Sequence, residues 1–144
     1  MNQRIDLPGI SNVLNGGALA GAQLNTAWIP AAGNTRIHMV VGFTAPDEDI
    51  TITPAQATDS SGTGTKALDI PYVYTKAASE SSFTKVDVAA ATYVISSAAA
   101  GVVIVEFDVA AMDVNGGFNH INLALTGSTT RMLNVIALPM GGNA

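Results

Sequence analysis

From Leu24 onward, apolar and polar residues alternate in short runs divided by turn residues. Two runs show the two-residue period most clearly. In the first, Val103, Val105, Phe107 and Val109 share one face while Glu106 and Asp108 take the other. In the second, Ile121, Leu123 and Leu125 face inward, and His120, Asn122 and Ala124 face outward. Successive strand side chains point to opposite faces, so this period marks strands with one face in a core. The same reading over the whole chain predicts strands at 25–29, 35–43, 49–57, 67–75, 82–86, 92–96, 101–109, 118–126 and 132–138. Between them lie Ala32-Gly33-Asn34, Pro46-Asp47, Ser61-Gly62-Thr63-Gly64, Asn115-Gly116-Gly117 and Thr126-Gly127-Ser128, residues that suit tight turns. Short strands at this spacing predict an all-β, single-domain antiparallel β-sandwich or jelly-roll. No window carries a capped helical stripe; a one-turn insert at 109–113 is the most the pattern allows.

The first 22 residues break this rhythm. Asn15-Gly16-Gly17-Ala18-Leu19-Ala20-Gly21-Ala22 has little to bury and reads as an extended arm, with the sandwich at 23–144. The apolar residues dotted through it, Ile5, Leu7, Ile10, Val13 and Leu14, are candidates for docking onto a neighbour, together with Trp28 at the start of the domain. A frayed terminus is the alternative. The segment lacks the basic start and continuous apolar run of a signal peptide, and no stretch approaches the ~20 apolar residues of a membrane span.

Composition narrows the function classes. Of the 144 residues 48% are hydrophobic and only 12% charged, about half the roughly 25% usual for a soluble domain. Small neutral residues fill the gap, as suits a surface partly covered by neighbours. The net charge is −5, and the six basic residues, Arg4, Arg36, Lys66, Lys76, Lys85 and Arg131, are scattered. Neither nucleic acid nor an anionic membrane is an expected partner. The chain has no cysteine, which removes disulfides, thiolate metal sites and thiol nucleophiles together.

The remaining chemistry is sparse. His38 and His120 both fall in expected strands with no nucleophile elbow nearby. The acidic run Asp47-Glu48-Asp49 enters a strand, where adjacent side chains diverge, so a solvated turn is favoured over a cation site. Gly62-Thr63-Gly64-Thr65-Lys66 misses the phosphate-loop spacing by the intervening Thr65, and the segment from Asp59 to Gly64 misses that of a calcium loop. Tyr72 and Tyr74 share a strand face, as a binding platform or as cross-strand packing. No catalytic residue, cofactor or metal is expected, and the chain is not expected to be an enzyme.

Two passages resemble those of small tailed-bacteriophage virion proteins. The first is Gln56-Ala57-Thr58-Asp59-Ser60-Ser61-Gly62-Thr63-Gly64-Thr65-Lys66-Ala67-Leu68. The second is Met112-Asp113-Val114-Asn115-Gly116-Gly117-Phe118-Asn119-His120-Ile121-Asn122-Leu123-Ala124-Leu125, followed by Leu133-Asn134-Val135-Ile136-Ala137-Leu138. Met112 stands where leucine is usual in that group. The resemblance spans about residues 28–138. It implies a capsid decoration, or cement, protein on the outer surface of the phage head, made in the host cytoplasm. Its partner would be the major capsid protein, with self-association as a dimer or trimer on the shell. The alternatives are a tail or head-to-tail connector subunit, or a carbohydrate- or cell-surface-binding module with Tyr72, Tyr74 and Trp28 as its platform.

Overall fold

The computed structural model describes residues 11–18, 24–44, 49–96, 100–127 and 132–141. These form strands β1 (Ser11–Ala18), β2 (Leu24–Asn25), β3 (Ile29–Pro30), β4 (Asn34–Phe43), β5 (Ile50–Ala57), β6 (Lys66–Ala67), β7 (Ile70–Ala77), β8 (Thr84–Ala90), β9 (Tyr93–Ile95), β10 (Gly101–Asp108), β11 (His120–Gly127) and β12 (Met132–Gly141). Two single 3-10 turns, Val109–Ala111 and Val114–Gly116, separate β10 from β11. The strands build two antiparallel sheets packed as a β-sandwich. Sheet A runs β1-β12-β4-β10-β7-β8. Sheet B runs β2-β11-β5-β6, with β3 also on β11 and β9 also on β5.

The alternation read from the sequence sets the core. Sheet A turns Ile37, Met39 and Val41 of β4 inward, beside Val103, Val105 and Phe107 of β10 and Val135 and Ala137 of β12. Sheet B answers with Ile50 and Ile52 of β5 and Ile121, Leu123 and Leu125 of β11. Each of these side chains is at most 2% exposed, and burying one of the larger ones is worth about 1.5–3 kcal/mol. Within sheet A small Ala137 pairs with large Met39, and both are fully buried.

Sheet B shows why a proline is tolerated inside a core strand. Pro54 pairs with Leu123, but the N–H of Leu123 donates to Thr26 Oγ1 and its C=O accepts from Thr26 N–H, both at 3.0 Å. Leu123 therefore spends its backbone groups on the far side, and Pro54 turns its nitrogen away from β11. On that other side the pairing with β9 stops at Ile52 and the pairing with β6 starts at Ala55. Pro54 falls in the gap between them, where there is no ladder for it to break.

Thr26 also explains a difference from the sequence pattern, which suggested one strand at 25–29. Its hydroxyl, 4% exposed as a residue, stands in for a backbone carbonyl and divides the segment into β2 and β3. The N-terminal segment differs too. Read as an arm, it instead places Ser11–Ala18 in sheet A as an edge strand on β12, with register shifts after Asn12 and Leu14. A strand carrying the Gly16-Gly17 pair gains its shape from pairing, not from propensity. At the opposite edge, β8 carries a bulge opposite Ile70–Tyr72, with Ala89 at φ 48°. Bulges of this kind twist an edge and discourage pairing with other chains.

Candidate functional site

The two phage-like passages meet in space. In the first, Asp59 Oδ1 accepts the N–H groups of Ser61 and Thr63 at 2.9 and 3.1 Å. Thr58 donates both its N–H and its hydroxyl to the Thr63 carbonyl. Hydrogen bonds from Thr63, side chain first and then backbone, hold the Asp59 carboxyl below the usual carboxylate range. In the second, Asp113 caps the turn that follows, its Oδ1 accepting the Gly116 N–H at 3.0 Å, and Gly117 closes it at φ 84°.

Gln56, 4% exposed, joins the two passages. Its Oε1 accepts the Asp113 N–H at 2.9 Å and its Nε2 donates to the Ala67 carbonyl at 3.2 Å. Lys66 completes the clasp, with Nζ 2.8 Å from Asp113 Oδ2 and 5.6 Å from the centre of the Phe118 ring. The Lys66 hydrogen bond is the main cause that lowers the Asp113 pKa. Asn119 N–H then donates to Ala57 O, and Ala31 N–H to Asn119 O, tying β3 and β5 to the same corner. The segment that misses the phosphate-loop spacing thus directs Lys66 to a carboxylate and the N–H groups of Ser61 and Thr63 to Asp59.

The outer face of sheet A holds a charged cluster. Glu106 lies opposite His38 on β4, and its side chain is only 10% exposed. Its carboxylate accepts a 2.6 Å hydrogen bond from the Tyr72 hydroxyl and sits 3.2 Å from Arg36 Nη1. His38 Nε2 lies 2.9 Å from Glu106 Oε2, a hydrogen bond whenever that nitrogen carries the proton. The hydrogen bond to Glu106, then burial and the carboxylate charge, push the Tyr72 pKa from 10.0 up to about 12. Lys85 Nζ covers the Tyr72 ring at 4.2 Å, and Tyr74 meets that ring edge-on at 5.6 Å. The Tyr72 hydroxyl and the Arg36 guanidinium together pair the carboxylate, as its burial requires.

The outer face of sheet B is neutral. A groove of about 410 Å³ runs over it, floored by Thr53, Ala55, Asn122 and Ala124 and walled by Trp28, Ser61 and Thr65. The Trp28 indole is half-buried, and the 58–65 loop lies against it at Gly62. A Cβ on Gly62 would come within 2.7 Å of Trp28 Nε1, and Gly62 also adopts φ 83°, so both the contact and the turn require glycine. Asn122 is 6% exposed, and among the described residues its Oδ1 has no hydrogen-bond partner.

The residues singled out from the sequence are therefore dispersed. Tyr72 and Tyr74 lie on sheet A and Trp28 on sheet B, so they do not form one platform; the tyrosine pair packs within its own sheet. His38 joins the Glu106 cluster, and His120, at the start of β11, contacts the Asn119 side-chain oxygen through Nδ1. Asp49 is exposed ahead of β5; Asp47 and Glu48 lie outside the described residues. So do Ile5, Leu7 and Ile10, whereas Val13 and Leu14 fall within β1. Sequence reasoning put Glu106 and Asn122 on outward faces but not in burial, and it passed over Gln56 and Thr26. The one available signal was a lone carboxylate inside the otherwise apolar run Gly101–Phe107.

No family model and no curated protein matches the chain. Among solved structures, the SPBc2 prophage-derived protein YomS is similar over 89% of this chain and 88% of its own, at 8% identity and a TM-score of 0.47. A Clostridium thermocellum endo-1,4-beta-D-xylanase 10B structure of CBM22-1 and GH10 modules, complexed with xylohexaose, is similar over 92% of this chain at 11% identity and a TM-score of 0.36. The chain spans only 26% of that xylanase structure. At these scores neither likeness adds to what the fold itself says.

Proposed function

We propose that this chain is a non-enzymatic virion structural protein of a tailed bacteriophage, decorating the outer surface of the capsid across major capsid protein subunits. The observation that carries this reading is the clasp. The two passages that resemble virion proteins are bridged by Gln56, Asp113 and Lys66 into one structural unit of this chain, which supports reading them together and not as two unrelated strings.

Other features support it. The sandwich is sparsely charged, as suits a subunit covered by neighbours or by other copies in a dimer or trimer, and Phe83, Val94, Val114 and Met140 stand 46–56% exposed on separate elements. Because β1 is part of sheet A, docking by an N-terminal arm falls to Ile5, Leu7 and Ile10, ahead of that strand. The physical effect is clamping. Each copy adds apolar area across a seam, a standard interface of ~1,600 Å² is enough for specific attachment, and the shell repeats it.

The test is reconstitution. The purified protein, mixed with phage heads stripped of it, should bind saturably at a copy number set by the lattice and raise the temperature at which the heads rupture. Deleting residues 1–10 should weaken attachment and leave the domain folded. Folded protein that never sediments with heads sinks the reading, and density confined to the tail moves it to a connector role.

A further inference from the structure

We propose that the groove on the outer face of sheet B is a binding site for a neutral saccharide. Every side chain lining it is uncharged, in contrast to the Arg36–Glu106 cluster on the other sheet. Such a surface offers nothing to a phosphate, a sulfate or a carboxylate, which need charged or clustered donors to replace their water. It does offer what a sugar ring needs, namely an indole against which C–H bonds can pack and neutral donors and acceptors for hydroxyls.

Trp28 supplies the indole, and it is held in place. Gly62 abuts its edge, and the loop carrying Gly62 is pinned through Asp59 and Thr58. Thr53 and Thr65 supply hydroxyls, the first from the rigid floor of β5; the Thr65 hydroxyl donates to Gly62 O and keeps its lone pairs as acceptors. Asn122 adds an amide to the floor of the groove. The volume of about 410 Å³ lies within the range of small-ligand sites. Little has to be ordered on binding, because the floor is a sheet and the wall is hydrogen-bonded. The site stands independently of the shell reading: on a capsid it would give the particle affinity for glycans, and off one it would be a lectin-like function.

The experiment is an NMR titration of the full-length ¹⁵N-labelled protein with cellohexaose, maltohexaose and chitohexaose, each to about 10 mM so that millimolar affinities register. A heparin hexasaccharide forms the charged arm. At least one neutral sugar should move the Trp28 indole Nε1–H saturably, and heparin should not. Trp28→Ala should weaken binding at least about tenfold, and Thr53→Val, which keeps the shape of the floor, several-fold. If Trp28→Ala fails to fold by circular dichroism, Thr53→Val carries the comparison. The proposal is overturned if no neutral sugar moves the indole, if heparin binds there more tightly, or if the folded variants bind as well as the parent.

Discussion

Replacing Gly62 by alanine perturbs two features at once, and they can be separated. The backbone there has φ 83°, a left-handed conformation that costs a residue with a Cβ about 1 kcal/mol. The added Cβ would also stand 2.7 Å from Trp28 Nε1 and 2.9 Å from both Cε2 and Cζ2. These are atoms of a rigid ring, so the whole indole must swing outward, and a forced shift of this kind adds about 1–2 kcal/mol. Gly62→Ala should therefore lose about 2–3 kcal/mol in all. Trp28 is the chain's single tryptophan, so its emission reports the displaced ring directly, and urea denaturation followed by circular dichroism gives the free energy. In a Trp28→Ala background the steric part should vanish and leave about 1 kcal/mol, a coupling that a double-mutant cycle isolates. A loss under about 0.5 kcal/mol would refute the backbone argument. An equal loss in both backgrounds would refute the contact with Trp28.

Three further outcomes are expected. Gln56→Leu leaves the Asp113 N–H and the Ala67 carbonyl without their partner and should cost about 2–3 kcal/mol by urea denaturation, a large effect for a residue with no role in the apolar core. Glu106→Gln should return the Tyr72 titration, read at 295 nm, from about 12 toward 10.0; in the parent the folded state holds the phenol proton more tightly, so that stability is present below pH 10.0 and lost as pH rises toward 12. Asp113 has the opposite sign. Its carboxyl pKa is lowered in the folded protein, so its contribution is present above pH 3.8 and fades as pH falls below that value; Asp113→Asn should flatten the acid limb of a thermal-stability profile.

The alternation of side chains was the most legible feature, because the strand period is fixed by backbone geometry. It placed Val103, Val105, Phe107, Ile121, Leu123 and Leu125 on the core face, where they lie. Alternation gives a face but not a depth. Glu106 and Asn122 sit on outward faces, yet both are buried. For Glu106 the cover comes from Arg36, His38 and Tyr72, side chains distant in sequence that only the register of β4, β10 and β7 assembles. Gln56 was hidden for the same reason, since its partner Asp113 lies 57 residues away. The break at Thr26 depends on a hydroxyl replacing a carbonyl, which no pattern of polarity encodes. Ser11–Ala18 reads as a loop because its glycines have no intrinsic preference for a strand, and its pairing with β12 supplies what composition lacks.

That pairing has a consequence for synthesis. Within sheet A, β1 touches the rest only through β12, which lies between it and β4. Its partners, from Met132 to Ala137, are translated more than a hundred residues later. As the chain leaves the ribosome, β4, β7, β8 and β10 can pair in turn, while the earliest strand waits for β12 to emerge. Loop closure over such a span is slow, and an unpaired strand is open to the wrong neighbour in the meantime. Glycines that weaken Ser11–Ala18 as a strand also make it a poor template for mispairing during that wait.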